Sequence, residues 1–128
     1  MTNILLLEPN KMLGETYKKT LEHRGHAVTW CQSAQQAILS TDQVVPDMIV
    51  LELQLPLHNG VEFLYELKSY DDLQNIPILI LSHVPPTLKA ISAILWDQLG
   101  VQAYHYKPLT KLTDLTRSVE RLLSASRV

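Results

Sequence analysis

The chain has 128 residues, of which 46% are hydrophobic and 19% charged, and its formal net charge is −2. This length fits one domain, and the apolar content excludes a disordered chain. The nearly balanced charge argues against a nucleic-acid binder held by a broad basic surface. A single cysteine, Cys31, excludes an internal disulfide and a cysteine-rich zinc site.

The N-terminal residues show no targeting signal. Met1-Thr2-Asn3 leads straight into an apolar run, without the basic region and the cleavage site of a signal peptide. No run approaches the roughly 20 apolar residues that a membrane span needs. We therefore expect a cytoplasmic protein without a membrane segment. We also expect one domain over residues 1–124 and a polar tail over 125–128, which would be a natural end or the start of a linker.

Five short runs of apolar and β-branched residues predict strands. Three of these runs are apolar throughout, which is typical of strands that are buried on both faces of a parallel sheet. The predicted strands cover Ile4 to Leu7, His26 to Cys31, Met48 to Leu51, Ile78 to Leu81 and Val101 to Tyr106.

Between the strands, apolar side chains recur at three- and four-residue spacing, which predicts helices with one buried face. Gly25 is placed to end the first helix, and Ser33 with Gln36 forms a capping-box pattern at the start of the second. Pro85-Pro86 opens the fourth helix, where proline is tolerated. The apolar stripes are Leu13, Tyr17 and Leu21; Val61, Leu64 and Leu67; Leu88, Ile91, Leu95 and Leu99; and Leu112, Leu115, Val119 and Leu122. The second helix is predicted from the capping box before Ala37-Ile38-Leu39.

Five strands that alternate with five helices predict an α/β fold, a doubly wound parallel sheet with helices on both faces. Ligands of such sheets lie at the carboxyl ends of the strands. The residues directly after the strands are therefore the candidate site residues. They are Glu8-Pro9-Asn10, Glu52 to Asn59, Ser82-His83 and Tyr104 to Pro108.

Common catalytic and nucleotide-binding motifs are absent from the sequence. There is no GxGxxG, no GxxxxGK[ST] and no GxSxG, and none of the five histidines forms an HExxH. We therefore expect a protein that is not an enzyme. A flavodoxin-like binder of a small ligand is one alternative, although the loop after the first strand is a poor phosphate cradle.

A carboxylate follows the first strand, another the third, a hydroxyl the fourth and a Lys-Pro pair the fifth. With the segments ILLLEPN, PDMIVLELQLPLHNGVEFL, IPILILSHV and AYHYKPL, this order resembles the CheY-like receiver domain of two-component response regulators over the whole chain. The resemblance implies a flavodoxin-like fold with strand order 2-1-3-4-5. It also implies signalling by contact with a protein partner, such as a histidine kinase or a downstream output protein.

The resemblance assigns roles to individual positions. Glu52 stands where the family has its phospho-accepting aspartate. Ser82 and Tyr104 correspond to the two switch positions, and Lys107 to the lysine that contacts the phosphoryl group. The peptide before Pro108 is usually cis in the family.

Two departures from the family pattern affect the chemistry. Glu52 is one methylene longer than aspartate, and a misplacement of about 1 Å can slow a reaction about 10²-fold. Receivers usually hold Mg²⁺ with two acids after the first strand. Glu8 is the first, but Pro9 replaces the second, so Glu8 and Glu52 would form a weak Mg²⁺ site or none. We expect no bound cofactor and little or no phosphotransfer.

Three interpretations of Glu52 stay open. Its longer side chain would place negative charge where a phosphoryl oxygen otherwise lies, so that Lys107 and Ser82 bind it and the chain permanently imitates a phosphorylated receiver. Glu52 and Lys107 would instead be a structural ion pair in an inert scaffold. The main alternative function is a receiver that still accepts a phosphoryl group on Glu52 with Mg²⁺.

The fourth predicted helix has apolar residues beyond its buried stripe. In receivers the fourth helix, fifth strand and fifth helix form the usual dimer or partner face. Ile94, Trp96 and Tyr104 are therefore candidates for an interface, either in a homodimer or with another protein. The alternative is that Ile94 and Trp96 cover neighbouring helices of one monomer. We expect His83 and His105 to be exposed.

Overall fold

The computed structural model describes residues 1–86 and 93–126, and at its centre lies a five-stranded parallel sheet. The strands are β1 (Asn3–Leu7), β2 (Ala27–Cys31), β3 (Met48–Leu51), β4 (Ile78–Ser82) and β5 (Val101–Tyr106). They lie in the order β2-β1-β3-β4-β5, so the doubly wound fold and its strand order are confirmed. The order changes direction at β1, where Leu7 pairs with Cys31 on one side and Leu51 on the other.

Helical elements connect the strands. They are α1 (Lys11–His23), α2 (Ala34–Thr41), α3 (Gly60–Lys68), a π-helical segment (Ile94–Gln98), a 3₁₀ turn (Lys107–Leu109) and a C-terminal helix (Leu112–Ser126). The C-terminal helix passes the expected domain end at residue 124, because serine and alanine do not interrupt helical hydrogen bonding. Among the described residues, no helix combines the length and the apolar character that a bilayer span requires.

Polar side chains fix where three of the helices begin. Asn10 Oδ1 accepts the N–H of Leu13 at 3.0 Å, and Ser33 Oγ accepts the N–H of Gln36 at 3.2 Å, as predicted for Ser33. Asn59 Oδ1 accepts the N–H of Glu62 at 2.8 Å. Each of these bonds satisfies a donor that the first turn of a helix leaves without a partner. The caps therefore define the first residues of α1, α2 and α3.

Alternate residues of the strands face two separate cores, because successive side chains of a strand point to opposite faces. One core lies between the sheet and α2, α3 and the π-helical segment, and it includes Leu5, Ile49, Leu64, Ile80 and Leu95. The other lies against α1 and the C-terminal helix, and it includes Leu6, Val50, Leu21, Leu79 and Val119. Burial on both faces explains the continuous apolar runs in β1, β3 and β4.

The fourth predicted helix differs from expectation. Leu88 and Ile91 of its predicted stripe lie outside the described residues, and the described end is a π-helix rather than an α-helix. The N–H of Leu99 donates to the carbonyl of Ile94 at 3.0 Å, five residues earlier. Gly100 follows with a φ of +65°, which lets the chain turn directly into β5. The wider last turn thus completes the connection from helix to strand.

Candidate functional site

Two carboxylates lie side by side at the carboxyl end of the sheet. Each sits one residue beyond its strand, held by a backbone hydrogen bond of 3.0 Å: the N–H of Glu8 donates to Cys31 and that of Glu52 donates to Leu7. Glu8 is 2% exposed and Glu52 is 3% exposed. Because carboxylates are rarely buried without partners, this pair requires compensating groups.

Lys107 supplies the positive charge. Its ammonium lies 2.6 Å from Glu8 Oε1 and 2.7 Å from Glu52 Oε1, and only 5% of its side chain is exposed. The backbone N–H of Asn10 donates to the other oxygen of Glu8 at 3.0 Å. Two carboxylates and one ammonium leave this cluster with a net formal charge of −1. The structure therefore brings together Glu8, Glu52 and Lys107, as their positions after strands predicted.

Both oxygens of Glu52 accept hydrogen bonds. The hydroxyl of Ser82 donates a short bond to Oε2, and the N–H of Gln54 donates to the same oxygen at 3.1 Å. Oε1 accepts the N–H of His83 at 3.2 Å in addition to its bond with Lys107. Burial acts to raise the pKa of Glu52, but the bonds from Lys107, Ser82 and Gln54 together hold it below its ordinary value.

His83, one of the candidate site residues that directly follow a strand, also contacts Glu52. Its ring is 53% exposed, as expected, yet Nδ1 lies 3.2 Å from Glu52 Oε1. The available signal was its position directly after Ser82, where the backbone leaves β4. His105 was expected to be exposed and is half-buried instead, because its strand lies under the C-terminal helix, and burial lowers its pKa.

Tyr104 joins the site through the backbone of the loop after β4. The N–H of Val84 donates to Ser82 Oγ at 3.0 Å, and the hydroxyl of Tyr104 donates to the carbonyl of Val84. Tyr104 is half-buried, and burial together with the charge of Glu52 raises its pKa. A continuous set of hydrogen bonds thus runs from Glu52 through Ser82 and Val84 to Tyr104.

Trp30 supports the loop that carries Glu8. This role of Trp30 was not predicted from the sequence. Its indole N–H donates to the backbone carbonyl of Glu8 at 3.0 Å. The ring packs so closely on α1 that a Cβ at Gly14 would lie 2.1 Å from it. Nearby on α1, burial and the charges of Glu8 and Glu52 raise the pKa of Tyr17 to about 12.

The other predicted residues lie apart from this hydrogen-bonded cluster. Ile94 packs partly buried against the core, whereas Trp96 is 45% exposed on the π-helical segment. Cys31 is buried, which raises the pKa of its thiol. The peptide between Lys107 and Pro108 is trans, so the cis peptide that the resemblance implied is not found.

Comparison with known proteins gives a consistent result. A family model described as the response regulator receiver domain matches residues 4–120. The KDP operon transcriptional regulatory protein KdpE of Escherichia coli is 29% identical over 108 residues, which cover 84% of this chain and 45% of KdpE. The chain spans about half the length of the curated relatives that it matches first.

Solved structures resemble the chain over nearly its full length. The non-phosphorylated HemR receiver domain of Leptospira biflexa is 27% identical with a TM-score of 0.84, covering 97% of this chain and 95% of that one. The receiver domain of the sensor histidine kinase PA1611 of Pseudomonas aeruginosa is 25% identical with a TM-score of 0.83, and the match covers 96% of this chain and 98% of that one.

Proposed function

The chain belongs to the response regulator receiver domain family, and from this premise we propose that it signals without aspartyl phosphorylation. In this proposal the carboxylate of Glu52 permanently takes the place of a phosphoryl group. Receiver domains are in general signalling domains that act through protein contacts and not through catalysis of their own. A histidine kinase or an output protein in the cytoplasm is the kind of partner that we expect.

The hydrogen bonds of Glu52 carry the proposal. Its carboxylate binds the hydroxyl of Ser82 and the ammonium of Lys107, which are the two side chains that the resemblance assigns to switching and to phosphoryl contact. The bonds continue through Val84 to Tyr104, the second switch position. A buried carboxylate in an inert ion pair would also need hydrogen bonds, but it would not need the connection through Val84 to the hydroxyl of Tyr104, which favours mimicry.

The same bonds disfavour phosphotransfer onto Glu52. A carboxylate that attacks a phosphoryl group needs an oxygen with an available lone pair and a clear line of approach. Here Oε1 accepts bonds from Lys107 and His83, while Oε2 accepts bonds from Ser82 and Gln54. Attack by either oxygen would require the loss of these bonds inside a buried site.

The residues at this site do not fit Mg²⁺. Mg²⁺ prefers near-octahedral oxygen ligands, and Pro9 offers no side-chain oxygen. PA1611 is described with a magnesium ion in its active-site cleft. In this chain an ammonium bonds both carboxylates instead, at 2.6 Å and 2.7 Å. We propose that Lys107 is the resident cation of the site, and we assign no step to a metal.

A comparison of Glu52→Gln with the wild type tests the proposal. The change removes the charge but keeps the side-chain length, so it should move amide NMR signals at Ser82, Val84 and Tyr104 and weaken any partner binding or self-association. Glu15→Gln, an exposed position on α1, is the matched control. If the shifts stop at Gln54 and His83 and leave Tyr104 unchanged, Glu52 is a structural residue and mimicry is wrong.

We further propose that the fourth-helix region, β5 and the C-terminal helix form a contact face. Trp96 is the candidate anchor, because it is a large apolar side chain at 45% exposure. Trp96→Ala should shift a homodimer toward monomer in sedimentation. A wild type that is monomeric at every concentration would remove Trp96 as a self-association anchor.

A further inference from the structure

An apolar groove lies beside the carboxylate cluster. Its volume is about 570 Å³, and its walls are the loop between β3 and α3, the first turns of α3 and the loop after β4. The apolar lining residues are Leu53, Leu55, Val61, Tyr65 and Val84. A hollow of this size accommodates one or two large side chains of another molecule.

Both walls of the groove are tied to Glu52. On one side the N–H of Gln54 donates to Glu52 Oε2 at 3.1 Å. On the other side the N–H of Val84 donates at 3.0 Å to Ser82 Oγ, which is itself bonded to Glu52. The width of the groove is therefore set by the hydrogen bonds of Glu52, which connects this surface with the proposed function.

Leu57 at the tip of the β3–α3 loop is exposed and strained. It is 99% exposed, and its φ of +66° is rarely adopted by a residue with a side chain. The loop is closed beneath it by the N–H of Gly60, which donates to the carbonyl of Leu53 at 2.7 Å. This loop therefore presents an exposed leucine directly before His58, which lines the groove.

The charges around the groove are acidic. Among residues 1–86 and 93–126, its titratable lining residues are His58, Glu62 and Tyr65, and a second hollow of about 420 Å³ on the other side of α3 shares His58 and Glu62 and adds Glu66. Neither hollow is lined by lysine or arginine within residues 1–86 and 93–126. Residues 61–72 contain four acids and one lysine, Lys68. The ammonium of Lys68 bonds the carbonyl of Gln74.

We propose that this groove binds a basic segment of a partner protein. An apolar side chain of the segment enters the hollow, and lysine or arginine residues beside it pair with Glu62 and Glu66. Tyr65, which is 49% exposed, offers an aromatic face to a guanidinium. The inference rests on the proposed function and deepens it, because it names the chemistry of the partner.

An NMR titration of the full chain with a synthetic peptide tests this proposal. The probe is an amphipathic helical peptide of leucine, lysine and arginine. The control peptide carries glutamate in place of every basic residue. We expect saturating shifts at Leu55, Val61 and Tyr65 with the basic probe only. The combined Glu62→Gln and Glu66→Gln variant should bind about three- to tenfold more weakly, while Glu15→Gln should bind as the wild type does.

Three results would overturn the proposal. They are equal shifts with both probes, shifts confined to another surface, and shifts at the groove that grow with protein concentration alone, which would identify a second copy as the occupant. Because the titration involves no change at Glu52, its failure leaves the Glu52→Gln experiment to decide the proposed function separately. If the Glu52→Gln experiment fails instead, the peptide titration can still be interpreted by itself.

Discussion

Replacement of Lys107 by methionine tests the energetic basis of the site. Methionine is similar in length and volume, so the change removes the charge with little change in packing. The lost ammonium lies 2.6 Å from Glu8 and 2.7 Å from Glu52, and its side chain is 5% exposed. Removing one partner of a buried ion pair costs about 3–5 kcal/mol. A typical domain has about 5–15 kcal/mol of stability in total, so Lys107→Met should be strongly destabilised.

The effect of this substitution should depend on pH in a defined direction. In the wild type the pKa of Glu52 lies below its ordinary value of 4.5, so its contribution is present above that pH and is lost as the pH falls through the lowered pKa. In Lys107→Met the carboxylate of Glu52 loses the bond from the ammonium that lowers its pKa, so burial raises the pKa of Glu52. Protonation of Glu52 then stabilises the variant at low pH, and this stability is lost as the pH rises.

Urea unfolding of both proteins, at about pH 7 and about pH 4, measures the difference in the free energy of unfolding. We expect the free energy of unfolding of Lys107→Met to be about 3–5 kcal/mol lower than that of the wild type at about pH 7, and we expect this difference to be smaller at about pH 4. Lys111→Met, at an exposed position, is the control and should change stability by less than about 0.5 kcal/mol. A loss below about 1 kcal/mol with no dependence on pH would refute the assignment of Lys107 as the compensating cation.

Three further predictions follow from the geometry. Glu52→Gln should flatten the loss of stability that the wild type shows below about pH 4.5, and an unchanged acid profile would mean that Glu52 carries no lowered pKa. Combined Pro9→Asp and Glu52→Asp should create a site that binds Mg²⁺ and beryllofluoride, detected by NMR, whereas failure would show that other residues also block the chemistry. Gly14→Ala should destabilise the protein by about 1–3 kcal/mol and alter the fluorescence of Trp30, because the added Cβ would lie 2.1 Å from its ring. Normal stability of that variant would contradict the close packing.

The strands were predictable because their burial leaves a direct mark on the sequence. β1, β3 and β4 are buried on both faces, so their residues are continuously apolar and their limits are confirmed within one residue. The order of the strands came from the family resemblance and not from hydrophobic patterns, which carry no information on which strands pair. The π-helical segment could not be predicted, because a single turn shows the same apolar spacing in an α-helix and a π-helix.

The members of the site were predictable from topology, and the bonds of Glu52 with Lys107 and Ser82 were expected from the family resemblance. Parallel strands end at one edge of the sheet, so Glu8, Glu52, Ser82 and Lys107 had to lie near one another. The bond of Lys107 with Glu8 was not predicted, because it depends on side-chain rotamers that sequence patterns do not report.

The contacts of Trp30 could not be predicted from the sequence for a different reason. Its indole reaches Glu8 and packs on Gly14 across two elements that are distant in sequence. The available signal was Gly14 itself, since a glycine inside a helical pattern is unfavourable and usually marks a close packing contact.

Titration of the wild-type protein with Mg²⁺, followed by beryllofluoride, tests the central claim most directly. Beryllofluoride imitates a phosphoryl group on a carboxylate, and amide NMR signals report on each residue of the site. We predict that the signals of Glu8, Glu52, Ser82 and Lys107 stay unchanged, because Lys107 and the bonds of Glu52 already fill the site. Shifts at these residues with millimolar Mg²⁺ that saturate further with beryllofluoride would contradict the account and establish a phosphorylatable receiver.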